Sequence, residues 1–263
     1  MENNLTSCIE AAGAISIEDR DAMYQVYARH YEATCRQRFE SDLANKSHVV
    51  QLRDANNRIK GFTTLARYIH QLTPDTGSEE CCRNHNQSRN NSEQSGSEVQ
   101  VIFSGDTIVE PQYWGKQTMQ MAWLEQCGRF KALHPELPLY WFLIVKGYRT
   151  YRFLPVFFNE YFPAFNSSGD QPLKKLLDQL ASDRFGGSYH PESGRIIFPQ
   201  SLGHLNNTLA EIPARVRNRP EVEFFINRNP GFRKGDELAC IVELSSQNLK
   251  RRTRGVFERG MAG

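Results

Sequence analysis

No two of the six cysteines, Cys8, Cys35, Cys81, Cys82, Cys127 and Cys240, stand at C-x-x-C spacing. Free thiols in a reducing compartment are therefore expected, and a structural zinc is disfavoured. A metal loop built on Cys81, Cys82 and His85 is an alternative that this spacing supports poorly. Long apolar runs are also missing. The longest, LPLYWFLIV at 137–145, is about half of what a bilayer span requires, and the start MENNLTSCIEAAGAI lacks a basic signal-peptide region. A cytoplasmic protein with no membrane span is the expectation. Neither sign of charge is in excess: 32 Lys and Arg stand against 30 Asp and Glu, a formal +2. No global field thus argues for nucleic acid or an anionic surface, and any basic footprint must be local. No internal repeat is visible.

With 263 residues, the chain can bury a sizeable core. Ile17, Met23, Val26, Tyr27 and Tyr31 recur at helical spacing after a capping Ser16. A hairpin follows, with strands at 48–53 and 59–69 around a turn at 54–57. Residues 73–97 are Asn-, Ser-, Gln- and Glu-rich with no apolar periodicity. Such a segment cannot offset its ordering entropy, so a disordered insertion is expected there. A strong strand at 99–109 leads through Pro111 into helical periodicity from Gln112 to about His134, stopped by Pro135 and Pro138. LYWFLIV then reads as a strand buried on both faces. This strand–helix–strand unit predicts two parallel strands. Further on come a helix interrupted at Pro155, an amphipathic helix at 172–186, a turn-plus-strand unit SYHPESGRIIFP, and a late strand at 236–244. The basic tail NLKRRTRGVFERGMAG reads as frayed.

The segment IVEPQYWGKQ carries the functional signal. Its order, Gln112-Tyr113-Trp114-Gly115-Lys116-Gln117 after a hydrophobic-x-Pro entry, resembles the signature turn of the GNAT superfamily of acyl-coenzyme A dependent N-acyltransferases. In that turn Arg or Gln is followed by two residues, Gly, one residue, then Gly or Ala. Gln112 and Gly115 agree; Gln117 stands where a small residue is expected. The element order over 17–165 resembles the family's as well. The resemblance implies an α/β (α+β) fold with a central mixed sheet flanked by helices. The GNAT-like core would occupy 1–165 and an extension 166–263, whose strand at 236–244 completes the core sheet. It also implies a donor, acyl-CoA or acyl-phosphopantetheine, held by Ile108, Val109, Gln112, Trp114, Gly115, Lys116, Gln117 and Thr118. Donors at a helix N-terminus attract a pyrophosphate, and a Gln side chain at 117 would crowd that approach or offer its own amide.

Acyl transfer needs a proton acceptor, oxyanion donors and an acid. In FSGDTIV, Gly105 marks a bulge that frees main-chain groups, and Asp106 beside it is the candidate base. Its plainer role is a solvent-facing strand carboxylate. The resemblance implies a tyrosine acid on the helix after the buried strand, which makes Tyr151, then Tyr148, the candidates; aromatic packing is the alternative for both. Lys146, Arg149 and Arg152 form a basic cluster suited to cofactor phosphates, a carrier protein or RNA, or to a solvated helix face. His190 and His204 read as loop histidines. The leading expectation is transfer of an acyl group from acyl-CoA or an acyl carrier protein to a small-molecule amine. A non-catalytic binding protein of the same fold and an aminoacyl-tRNA dependent transferase are the alternatives; 250–254 and 215–219 are the basic segments that speak for tRNA.

Overall fold

The computed structural model describes residues 5–73, 97–167 and 171–263. The insertion expected at 73–97 falls, apart from its two end residues, outside the described residues, and with it Cys81, Cys82 and His85.

In chain order the elements are β1 (Thr6–Ala11), α1 (Ile17–His30), β2 (Tyr31–Glu32), α2 (Arg36–Ala44), β3 (His48–Arg53), β4 (Ile59–Gln71) and β5 (Glu98–Val109). Then follow α3 (Thr118–Leu133), β6 (Leu139–Val145), α4 (Tyr148–Tyr151), α5 (Phe153–Phe157), α6 (Gln171–Phe185), β7 (Tyr189–His190), β8 (Arg195–Ile196) and β9 (His204–Leu205). The last are α7 (Asn207–Ala210), α8 (Ala214–Arg217), α9 (Pro220–Arg228), β10 (Glu237–Glu243) and α10 (Arg251–Ala262). Eight strands form one mixed sheet in the order β1-β3-β4-β5-β6-β10-β8-β7. Only β5 and β6 run parallel, joined by α3; the other neighbours are antiparallel.

Strand side chains alternate between two faces, so each strand feeds two cores. On one face Val50, Leu52, Leu65, Ile102, Trp141, Leu143, Cys240 and Val242 pack with α3, α4, α5, α9 and α10. On the other, Val101, Phe103, Phe142, Ala239 and Ile241 meet Leu173, Leu176, Leu177 and Leu180 of α6. Beside them Val49, Phe62 and Ile108 meet Met23, Val26 and Tyr27 of α1 and Phe39 and Leu43 of α2. The result is an α/β fold, a mixed sheet flanked by helices on both faces.

Three expectations about elements are corrected. The helix after β6 breaks at Arg152 and not at Pro155, which lies inside α5. The helix after β5 begins at Thr118 and not at Gln112, because Pro111–Tyr113 is a separate 3-10 turn and Gly115 takes φ +86. The C-terminal tail is not frayed. It forms α10, which buries Thr253, Val256, Phe257 and Gly260. Gly128 of α3 and Gly260 of α10 let the two backbones touch: a Cβ on Gly128 would collide with the Phe257 carbonyl, and one on Gly260 with that of Glu125.

Candidate active site

The parallel ladder between β5 and β6 runs from Gln100–Leu139 to Ser104–Leu143 and ends there. Beyond it the strands part, and main-chain groups along β5 from Gly105 to Val109 have no ladder partner on the β6 side. At the same point β5 bulges. Leu65 of β4 pairs Ser104 but Thr63 pairs Thr107, so two residues, Gly105 and Asp106, stand opposite Thr64 alone. A bulge shifts side-chain parity by one. Ile102 belongs to the α3 face, yet Ile108, an even number of residues on, belongs to the α1–α2 face. Asp106 is turned to the α1–α2 face by the same shift. A Cβ at 105 would lie 2.6 Å from Lys46 Cε and 2.7 Å from Thr64 Oγ1, so a larger residue there would displace those side chains.

The bulge opens on a chamber of about 830 Å³ on the α1–α2 face, lined among others by Tyr27, Tyr31, Asp42, Asp106, Lys146 and Glu237. Lys46, its side chain fully buried under the bulge, bonds Asp42 Oδ2 at 2.5 Å. Lys146 Nζ lies 3.2 Å from Glu237 Oε1 and 5.3 Å from the Tyr31 ring centre. Among the described residues the Asp106 carboxylate has no ion pair. Burial, with Asp42 adding repulsion, pushes it up to about 6 against the pull of Lys146 and Lys46. Burial alone would lower Lys146, but Glu237 and Asp106 hold its ammonium above the ordinary range. Tyr27 and Tyr31 stack at 4.7 Å. Burial and then the Asp106 charge raise both phenols, Tyr27 to about 12, so both stay protonated.

A second cavity of about 460 Å³ lies on the α3 face, between β5, the 113–120 turn and α4–α5. Ser104, Thr107, Trp141, Gly147, Thr150 and Leu205 line both cavities, which therefore meet where the strands part. Its walls are apolar, with Trp123, Trp141, Phe153 and Phe157. Of the residues assigned to the donor, Ile108, Val109, Trp114, Gly115, Lys116 and Gln117 line it, and Thr118 does not. Gln117 is the N-cap of α3 and makes no side-chain capping bond. The bond from Met121 N–H reaches Gln117 O at 2.9 Å, so the amides of Thr118, Met119 and Gln120 precede the helical ladder and have no carbonyl within it. Gln112 does not join the cavity; its amide donates to Glu110 Oε2 at 3.0 Å. The Trp114 indole donates to the Val109 carbonyl at 2.7 Å, and the Arg149 guanidinium covers that indole at 4.4 Å.

The two tyrosines lie elsewhere. Tyr151 is fully buried, donates to the Pro163 carbonyl at 2.9 Å and stacks on Phe224. Burial drives its phenol far above the ordinary range. Tyr148 is buried as well, under Arg149, and neither ring lines either of the two cavities. The helix register that would aim them at the cleft is overridden by α9, which claims this side of α4. The basic cluster is likewise committed: Lys146 to Glu237, Arg149 to the Leu209 carbonyl at 2.6 Å, Arg152 to Glu221 at 3.2 Å. His204 pairs Glu32 at 3.3 Å, and His190 belongs to the β7–β8 hairpin. Sequence reasoning missed Tyr27, Tyr31, Asp42, Lys46, Thr150 and Glu237. The one available signal was the i, i+4 spacing of Tyr27 and Tyr31, which read as simple core. Among the described residues no group of three His, Cys, Asp or Glu is arranged to hold a metal ion.

No protein-family model matches the chain, and no curated protein matches its sequence. Solved structures do. The chain is similar to a conserved protein of unknown function from Enterococcus faecalis V583, with 12% identity over 59% of this chain and 33% of that one, TM-score 0.37. It is similar to the GNAT family N-acetyltransferase YhbS from Escherichia coli in complex with CoA, with 12% identity over 60% and 72%, TM-score 0.37. It is also similar to NAA60 from Arabidopsis thaliana in complex with acetyl-CoA, with 13% identity over 59% and 86%, TM-score 0.36. The match spans about a third of the length of the first of these. What the cleft can do follows from its own residues.

Proposed function

We propose that the chain is an N-acyltransferase of the GNAT type, taking an acyl group from a thioester donor in the α3-side cavity to an amine in the Asp106 chamber. The observation that carries this reading is the bulge at Gly105–Asp106, which aims a carboxylate into a chamber that meets an apolar cavity where β5 and β6 part. Gly115 and the leading amides of α3 hold the phosphates of acyl-CoA or of an acyl-phosphopantetheine arm. The aromatic walls favour an acyl chain longer than acetyl.

The chemistry balances. The nitrogen lone pair of a neutral amine forms the C–N bond, and Asp106 accepts the proton that nitrogen sheds. Free main-chain amides of β5 beyond Ser104 stabilise the oxyanion. The C–S electron pair leaves with sulfur, where Thr150, lining both cavities, donates a hydrogen bond, and water relays to sulfur one proton that the Asp106 proton replaces. Products are an amide and a thiol.

Trp114 and Arg149 favour a second reading. The indole occupies the Val109 carbonyl and narrows the donor slot, as a non-catalytic binding protein of this fold would allow. Calorimetry with coenzyme A, joined to a thiol-release assay over acyl-CoA chain lengths and an amine panel, separates the two. Binding with thiol release is expected. Binding without release from any acyl-CoA or acyl carrier protein supports the second reading, and no binding with no release removes the first.

A further inference from the structure

Not every charge lining the acceptor chamber is paired. Asp42 is taken by Lys46, and Glu237 by Lys146. Three lining groups are left without an ion pair among the described residues: Asp106 on β5, Arg38 on α2 and Arg184 in the last turn of α6. The two arginines come from different helices, and the carboxylate comes from the sheet face that both helices cover. The Arg184 guanidinium sits 3.8 Å above the Phe103 ring centre, where burial lowers it from the ordinary arginine range. Both arginines are exposed residues, but over the ring the Arg184 guanidinium is partly stripped of water, and a guanidinium without a counter-ion gains from a bound anion. A ligand complementary to this set has a basic nitrogen at one end and an anion at the other. Tyr27, Tyr31, Phe103, Phe185 and Phe198 line the same chamber, which favours an apolar or aromatic body.

We infer, resting on the reading of this chamber as the acceptor site, that the acceptor is a small primary amine that also bears a carboxylate or phosphate. Its amino group lies beside Asp106 and its anion between Arg38 and Arg184. Simple polyamines and neutral sugars with amino groups lack the anion and leave both arginines unmatched. An amino acid and a phosphorylated amino alcohol both satisfy the set.

Calorimetry on the full chain tests this without any donor. The probes are L-phenylalanine, L-phenylalaninamide, phenethylamine, O-phosphoethanolamine and ethanolamine. At least about tenfold tighter binding of each anionic probe than of its neutral counterpart is expected, as for a charge-assisted contact, and the pair with the larger ratio identifies the anion. In Arg184→Gln and Arg38→Gln that preference falls below about threefold, while Arg184→Lys, which keeps the charge, retains part of it. Equal binding of amide and acid, or binding of none of the five, overturns the inference. The acyl-transfer reading fails separately: selective binding of the acids with no thiol release from any donor leaves the acceptor class standing and removes the chemistry. Acylation of neutral amines without preference does the reverse.

Discussion

Asp106 sits on the β5 bulge with two carboxylates, Asp42 and Glu237, and two ammonium groups, Lys46 and Lys146, acting on it, and with the phenols Tyr27 and Tyr31 close enough to feel its charge. A base must be ionised to accept a proton, so turnover is expected to rise with pH through about 6 and level above it. Asp106→Asn should cost on the order of 10²- to 10⁴-fold in kcat/KM and flatten that rise; a pH–rate profile of both proteins checks it. The stability effect has the opposite sign. The folded-state pKa lies above the unfolded value, so the folded chain binds the proton more tightly, and stability falls as pH rises through that window. Asn should therefore raise the melting temperature most above pH 6, and hardly at all below pH 4, where both states are protonated. Tyr151 gives the contrasting case. Its hydroxyl is spent on the Pro163 carbonyl, so Tyr151→Phe should lose about 1 kcal/mol of stability while kcat stays within about threefold of the parent, far from the loss expected of a general acid. A loss of kcat approaching that of Asp106→Asn would return the acid role to this residue.

At the scale of elements, the 115–120 turn separates stability from binding. Gln117 holds the N-cap position without capping, and an Asp there accepts the Met119 or Gln120 amide, which stabilises helices by about 0.5–2 kcal/mol. The same carboxylate repels phosphate and takes the donors that phosphate needs. Gln117→Asp is thus expected to melt higher and to bind coenzyme A at least about tenfold more weakly; unchanged affinity would place the phosphates elsewhere. This element also shows what was legible beforehand. The strand at β5, its bulge glycine and the turn are written in local chemistry: β-branched residues, Gly105, Pro111 and Gly115. Elements whose stability comes from distant partners were not. β1 is a half-exposed edge strand of six residues. α2 buries only Phe39 and Leu43, too little for a visible period, yet it brings Asp42 and Arg38 to the chamber. α10 reads as a basic tail because its apolar face is just Val256 and Phe257 with Thr253 and Gly260. Tyr148 and Tyr151 were named from the family resemblance, but the side they face is set by α9, some seventy residues later.

On the scale of the whole molecule, the cleft is closed by segments far apart in sequence. Glu237 of β10 holds Lys146, Leu205 of β9 reaches both cavities, and α10 fixes the back of α3, whose front end forms the donor turn. That last coupling can be tested because three glycines respond differently to one methyl group. Alanine is the better helix former by about 0.8–1 kcal/mol. At Gly255 of α10 nothing lies within 4 Å of the added Cβ, so Gly255→Ala should raise the melting temperature. At Gly128 and Gly260 the Cβ meets main-chain carbonyls of the facing helix, which cannot rotate aside. Overpacking of that kind costs about 1–3 kcal/mol, and backbone contact puts these sites at the upper end, so the steric cost outweighs the propensity gain. Each should lower the melting temperature by several degrees, at about 2–4 °C per kcal/mol for a chain of this size. Once one methyl has pushed the helices apart the second finds room, so the double variant should lose less than the two losses added. Because α3 carries the donor turn on its far end, coenzyme A affinity should fall with stability in Gly128→Ala and Gly260→Ala and stay unchanged in Gly255→Ala. Thermal melts and calorimetry on the four variants read both quantities. Strict additivity in stability, or coenzyme A affinity untouched in all four, would uncouple the α3–α10 seam from the cleft.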